Sequence, residues 1–410
     1  MTNNDCPAWV ADFDIITDRD HHADPYPNYS ELREKCPVAF SKQHEGHWIV
    51  TRHADISAVL RDAESFSSGQ TLLHDKNSGM LPAGHVGPDG RDLGRPFSLT
   101  TMDPPQHTAF KRLVLPLFST KKIEAWRPAI RAAATELLES IKAKGECEFT
   151  HDFAVELPIL VFLDILGVPP ADRHILRRIH EQLHLFPLGL ISAEEMRAHQ
   201  IEELSYFGTL LETRAGDAPN NTVVSYLNEA VIDGQQLSLQ EKMRMCQQFS
   251  RAGLHTTTAV LSNMMCFLAT HLDHRDRLVE DPSLIPNAVE ELMRYESMAA
   301  PARKATRDVE LRGQHISAGD LVLLPTGSAG RDADVFDHPD EVDFERSGID
   351  HLMFGMGRHY CVGKHLARAE LQISMEEIHR LVPNYRLKPG RAPKRVTATE
   401  RATIELWLDV

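Results

Sequence analysis

The chain has 410 residues, of which 42% are hydrophobic and 25% charged, and that balance excludes a disordered, collagen-like or coiled-coil protein. Its 44 basic and 59 acidic residues leave a net charge of −15. A nucleic-acid wrapper needs a basic footprint, and broad attraction to an anionic membrane also needs one, so neither partner is expected.

The six cysteines, at 6, 36, 147, 246, 266 and 361, show no C-x-x-C or zinc-finger spacing. No disulfide framework is expected, and a reducing cytoplasm is the default location. The first residues are polar, with neither a signal-peptide core nor a membrane anchor. No linker, repeat or low-complexity stretch divides the chain, so it reads as a single domain over 1–410.

In chain order, residues 46–51 (Gly-His-Trp-Ile-Val-Thr) predict a short strand and 53–60 a helix. Residues 78–98 carry Gly79, Pro82, Gly84, Gly87, Pro88, Gly90, Gly94 and Pro96, which predict a long irregular loop of the kind that covers binding sites. From about 105 to 300 the pattern is mostly helical. Residues 239–272 contain no proline and one glycine, Gly253. Met243, Met245, Phe249, Val260, Leu261, Met264 and Phe267 fall on several of its faces, so this helix should be long and largely buried. Strands are predicted near 309–311, 321–324 and 403–408. The total is mainly α with a smaller β portion.

The chemistry concentrates in Phe354-Gly-Met-Gly-Arg-His-Tyr-Cys361-Val-Gly363. Gly355 and Gly357 permit a tight turn, and Gly363 lets the backbone pass close to something bulky. A helical run beginning at Lys364 follows, which places Cys361 just before a helix N-terminus, where free amides stabilise a thiolate. Such a thiolate is a nucleophile or a metal ligand. The glycines do not form a dinucleotide fingerprint, because Tyr360 stands where a third glycine is required. A cysteine hydrolase is a poor reading: His359 is near Cys361, but no third orienting group is evident.

This stretch resembles the haem-binding loop of the cytochrome P450 family, Phe-Gly-x-Gly-x-His-x-Cys-x-Gly, at every defined position. The resemblance implies the P450 fold, with the long central helix lying over haem b (iron protoporphyrin IX). Cys361 is then the axial thiolate, which pushes electron density to iron and favours O–O cleavage. Phe354 packs beside the haem and shields the sulfur, and His359 reaches a propionate. Glu291 and Arg294 match the family's Glu-x-x-Arg pair and Arg346 its later arginine; the three are expected to form a structural ion network rather than a catalytic group. Arg303 resembles the propionate-binding arginine at a strand start. Within Met102-Asp-Pro-Pro-Gln-His107-Thr-Ala-Phe-Lys111, His107 and Lys111 resemble further propionate donors, with Lys111 where arginine is usual.

Ala252-Gly253-Leu254-His255-Thr256-Thr257 resembles the family's oxygen-binding turn. Gly253 is expected to permit a local widening of the helix, and Thr256 to hydrogen-bond the species at iron. The residue before Thr256 is normally an acid linking that site to solvent; here it is His255, which can itself relay protons near neutral pH. Asp24-Pro-Tyr-Pro-Asn-Tyr29, 163–169 and Gly330-Arg-Asp332 are family-like in the same order, Gly330 standing where asparagine is usual.

The implied activity is insertion of one oxygen atom from O2 into a small hydrophobic substrate. The haem loop lies about fifty residues from the end, leaving no room for a flavin or ferredoxin module. Electrons are therefore expected from a separate ferredoxin and ferredoxin reductase, docked through Lys111, Arg112, Lys121, Lys122, Arg358, Lys364 and Arg368. The pocket is expected from Phe249, Ala252, Met298, Ala299 and Ala300 together with the loop before Met102. Residues 98–105 and 145–149 resemble terpene-alcohol hydroxylases, a lead to a terpenoid, with aromatics and steroids open. The alternatives are a peroxide-driven peroxygenase or isomerase, suggested by His255, and a non-catalytic haem-binding protein.

Overall fold

The computed structural model describes residues 6–15, 17–69, 98–185, 191–397 and 400–410. The expected loop at 78–98 lies outside them except for its last residue.

The organising element is the helix Leu239–Thr270. At 1.5 Å rise per residue it is about 48 Å long. Ser238 and Glu241 form a reciprocal capping box at its start, satisfying backbone donors that have no partner within the helix. It ends where His271 leaves helical geometry, close to the predicted limit. Met243, Ala259, Val260, Met265 and Cys266 are all buried, so apolar side chains on every face are explained by neighbours on every face. Those neighbours include the helices Glu156–Leu166, Arg173–Leu185 and Ala193–Thr213 and the strand Arg401–Glu405. Beyond them, the helices Thr120–Lys144 and Lys364–Leu381 pack extensively on each other.

The β portion is small. One sheet runs in the order Val38–Ser41, His47–Val50, Leu321–Leu323, Ala302–Ala305, Phe66–Ser67. All its pairs are antiparallel except Leu321–Leu323 with His47–Val50. The strand predicted over 403–408 is in fact two: Arg401–Glu405 pairs with Lys394–Thr397, and Trp407–Asp409 pairs with Arg386–Leu387 and Glu146–Glu148. Buried Leu406 marks the break, and its N–H is taken by the Glu148 carboxylate instead of a strand neighbour.

The Glu291–Arg294 pair is fully buried. Arg294 donates to both carboxylate oxygens of Glu291 at 2.7 Å and to the carbonyls of Gly330, Pro339 and Glu341. Arg346 Nε reaches the same carboxylate at 3.0 Å. One carboxylate thereby ties the helix Ile285–Tyr295 to the irregular chain over 330–346. Gly330 cannot be otherwise: a Cβ there would lie 2.2 Å from the Arg294 carbonyl oxygen.

The cysteines depart from the expectation of free thiols. Cys6 and Cys36 form a disulfide with Cα atoms 5.0 Å apart, and the other four are free. The pair is separated by 30 residues and is brought together only when the N-terminal segment packs on the helix Tyr26–Lys35, so no local spacing could announce it.

Candidate active site

The loop ahead of the helix Lys364–Leu381 is built by its glycines. Gly355 and Gly357 have φ of +69° and +67°. A Cβ on Gly357 would also lie 2.8 Å from the Leu60 carbonyl oxygen, so both conformation and space demand glycine. The Cys361 N–H donates to Phe354 O at 3.0 Å, closing the loop on itself. Lys111 donates to the carbonyls of Arg358 and Tyr360. Its ammonium therefore pins the loop, where the sequence suggested a propionate donor.

Cys361 opens onto a cavity of about 320 Å³ that Phe354, Gly363 and Val362 also line. Burial pushes its thiol up; the Gly363 N–H and the charges of Lys111, Lys364 and Arg368 work the other way. Burial prevails, so the protein alone favours the thiol over the thiolate expected at the helix start, a balance that a bound cation would tip.

Another wall of the same cavity comes from the central helix, through Phe249, Ala252, Gly253 and Thr256. The helix is continuous through this turn, and the space at Gly253 is taken by the Phe162 ring rather than by a widened turn. The Thr256 hydroxyl donates to Ala252 O at 2.6 Å. Met298 and Ala299 also line the cavity, but Ala300 does not. Ala300 sits in a separate apolar cluster with Phe13, Ile15 and Leu323.

Basic side chains gather at one edge of the cavity. The rings of His107 and His359 lie 4.0 Å apart, and Arg303, on the strand Ala302–Ala305, is buried. Burial pushes His107 down to about 4, with Lys111 and Arg358 adding to it. Burial pushes His359 down to about 3, with His107, Arg303 and Lys111 adding to it. Arg303 is lowered to about 10, again by burial, and Asp103 alone pulls the other way. His359 Nε2 is buried without a hydrogen-bond partner among the described residues. Three buried basic groups with so little negative charge nearby fit an anionic ligand. Together with the sulfur of Cys361 they suit a porphyrin bearing propionates and a central iron.

Two acids that sequence reasoning missed also line the cavity. Glu370 is buried, pushed up by desolvation to about 8 with only a weak bond from Thr257 to oppose it. Glu400 meets His255 at 2.8 Å between Oε2 and Nδ1. Burial disfavours the charged imidazole, but the Glu400 carboxylate more than offsets it and His255 titrates above its ordinary value. His255 itself is not among the cavity-lining residues. The sole sequence signal for Glu370 was its place one turn and more into the cysteine helix; for Glu400 there was none.

Comparison with known proteins agrees with this geometry. The Cytochrome P450 family profile matches residues 211–405. The chain is 34% identical over 370 residues to the mycinamicin IV hydroxylase/epoxidase of Micromonospora griseorubida, covering 88% of each. It is 30% identical over 372 residues to the vitamin D(3) 25-hydroxylase of Pseudonocardia autotrophica, covering 89% of this chain and 88% of that one. The crystal structure of CYP109Q5 from Chondromyces apiculatus superposes with a TM-score of 0.85 at 29% identity, over 98% of both chains. A cysteine in a glycine loop, a buried basic edge and a threonine on a long central helix thus occur in a chain that belongs to the cytochrome P450 family, a haem-thiolate monooxygenase by fold and by kinship.

Proposed function

We propose that this chain, acting as a single unit over 1–410, hydroxylates a hydrophobic substrate of terpenoid to steroid size, with electrons from a separate ferredoxin and its reductase. The observation that carries the reading is one largely apolar cavity that Cys361, Thr256, His107 and His359 line, with buried Arg303 near enough to act on His359. When bound, thiolate-ligated haem supplies the activation of O2.

The residues divide the remaining work. Cys361 ligates, and Phe354 covers the sulfur with Arg368 stacked on its ring at 4.6 Å. His107, His359 and Arg303 hold the propionates. Phe249, Ala252, Met298 and Ala299 exclude water and bound the substrate. Thr256 positions a hydroxyl toward the reacting oxygen. The relatives named above act on mycinamicin IV and on vitamin D(3). Those substrates favour the larger, multi-ring end of the range over a small terpene.

The peroxide-driven alternative drew on His255 in place of an acid. With Glu400 bonded to it, an acid is available and that motive is removed. Among the described residues no helix is long and apolar enough to cross a membrane. The cytoplasmic assignment is supported by the need for reduced ferredoxin; the Cys6–Cys36 disulfide argues for a more oxidising setting.

The test is a Soret titration of the ferric protein with monoterpenoids, small aromatics and steroids, followed by product analysis with ferredoxin, reductase and NADPH. A low- to high-spin shift and an oxygenated product from a multi-ring ligand are expected. Haem-loaded protein that yields no O2-dependent product from any class would overturn the proposal.

A further inference from the structure

Inserting one atom of O2 and releasing the other as water obeys RH + O2 + 2e⁻ + 2H⁺ → ROH + H2O. Two protons must reach a cavity whose central-helix wall, Phe249, Ala252, Gly253, Thr256 and Val260, carries no ionisable side chain among the described residues. The basic groups at the edge are engaged with the cofactor's carboxylates on the reading above, and Lys111 is held by loop carbonyls. Glu370 and Glu400 remain. The Glu370 carboxyl is buried, and among the described residues its hydrogen-bond partner is Thr257, which holds no titratable proton to return to it. Glu400 differs: its side chain lines the cavity and its carboxylate is bonded to His255, the residue next to Thr256.

Glu400 is also held from two sides. Its backbone bridges to Ala299, and the next residue, Arg401, donates its N–H to Met298 O at 2.8 Å. The Arg401 carbonyl accepts from Asn263 of the central helix at 2.9 Å, and Thr403 returns a bond to Asn263 Oδ1. The carboxylate is thereby fixed over the helix turn that presents Thr256. Such fixing, with a charged partner already in place, is what a proton donor requires and a solvated surface acid lacks.

We propose that the Glu400–His255 pair is the proton donor of this cavity, Glu400 reaching into it and His255, outside the cavity lining, resupplying Glu400. The proton passes from His255 Nδ1 to Glu400 Oε2; the neutral carboxyl donates into the cavity, and the imidazole regains a proton at Nε2. This inference rests on the monooxygenase reading. Among the described residues the other titratable groups around the pair include His180, whose ring lies 6.0 Å from His255, Arg251 one turn earlier, held by Glu203 at 2.6 Å, and Arg401, held by Glu296 at 3.1 Å. Both arginines are neutralised by their own acids, which leaves Glu400 to keep His255 charged.

The test uses the haem-loaded protein and two readouts. The first is the imidazole titration of His255, followed by ¹⁵N NMR and assigned with His255→Asn. The second is peroxide turnover with guaiacol, H2O2 + 2 guaiacol → 2 H2O + 2 guaiacoxyl radicals, which needs an acid in the cavity but neither a ferredoxin nor the natural substrate. Glu400→Gln is expected to move the His255 titration down and to slow turnover by about tenfold or more, with a changed pH profile. The carbonyl band of the thiolate-ligated ferrous haem should stay as in the wild type, which separates proton supply from damage to the site. Turnover of Glu400→Gln within about twofold of wild type across the pH range, or an unmoved His255 titration, would overturn the proposal. Failure of the monooxygenase reading is a different result: wild-type protein that binds haem yet makes no product from O2.

Discussion

The ring of Phe162 occupies the space where a side chain on Gly253 would begin: a Cβ there would lie 1.9 Å from Phe162 Cζ. Two buried elements, the central helix and the helix Glu156–Leu166, meet through an absent methyl group. Both residues line the cavity, so the contact shapes the site as well as the core.

Gly253→Ala should therefore cost about 2 kcal/mol through overpacking, despite the better helix propensity of alanine. In a Phe162→Leu background the same change should become neutral, or favourable by up to about 1 kcal/mol. Urea unfolding of the four proteins checks this. An equal loss in both backgrounds would mean the ring does not set the requirement for glycine.

Glu370 supplies a pH prediction with a definite sign. Its folded pKa is raised from the ordinary value to about 8, so the unfolded chain loses this proton first as pH rises. Stability should be fully present below the unfolded pKa and fall progressively between about pH 4.5 and 8, by at most about 4 kcal/mol. Glu370→Gln should flatten that slope and leave the variant more stable at neutral pH. Denaturant midpoints across the range provide the check, and parallel curves for the two proteins would refute it.

The chain announced those parts of the site in which short-range spacing carries the chemistry. Cys361 with its glycines, and Glu291 with Arg294, are fixed by turns and by one helical turn, so their order along the chain is their order in space. Leu239–Thr270 was legible for a similar reason: a proline-free run bounded by Ser238 and by His271 leaves little freedom. Glu400 was not legible, because it meets His255 only after the last hairpin packs across the central helix through Asn263. Ala300 was misplaced since a run of small apolar residues does not reveal which way an extended segment turns each one. Gly253 was read as a source of helix widening when its partner, Phe162, lies on another helix about ninety residues earlier.

The buried Arg294–Glu291–Arg346 cluster should show the asymmetry expected of interior charge. Removing one partner leaves the other desolvated and unpaired, so Arg294→Ala should lose about 3–5 kcal/mol, and Glu291→Gln should also be severe. Arg346 is partly exposed and its partner keeps Arg294, so Arg346→Ala should cost less than either. Soluble yield of haem-loaded protein together with urea midpoints gives the ranking. Arg346→Ala proving the most damaging would contradict it.

The electron-donor surface can be narrowed by what the structure does with its basic residues. Of the seven residues expected to dock a ferredoxin, Arg368 is bonded to Glu290 at 2.6 Å, Lys364 lies over the Tyr360 ring at 3.7 Å, Lys122 lies over Tyr226 at 5.9 Å, and Lys111 binds the cysteine loop. Arg112, Lys121 and Arg358 are exposed, and Leu115, beside Arg112, is an exposed large apolar side chain at 49%. An acidic ferredoxin should be steered by the first three and seated partly on Leu115. Arg112→Glu combined with Arg358→Glu should slow ferredoxin-dependent reduction about tenfold or more at low salt, with the difference shrinking as salt screens it. Leu115→Ser should weaken association in a way that salt does not alter. Stopped-flow reduction of the ferric protein in the presence of carbon monoxide measures both. Unchanged rates for the double charge reversal, with reduction still occurring, would move the docking face elsewhere.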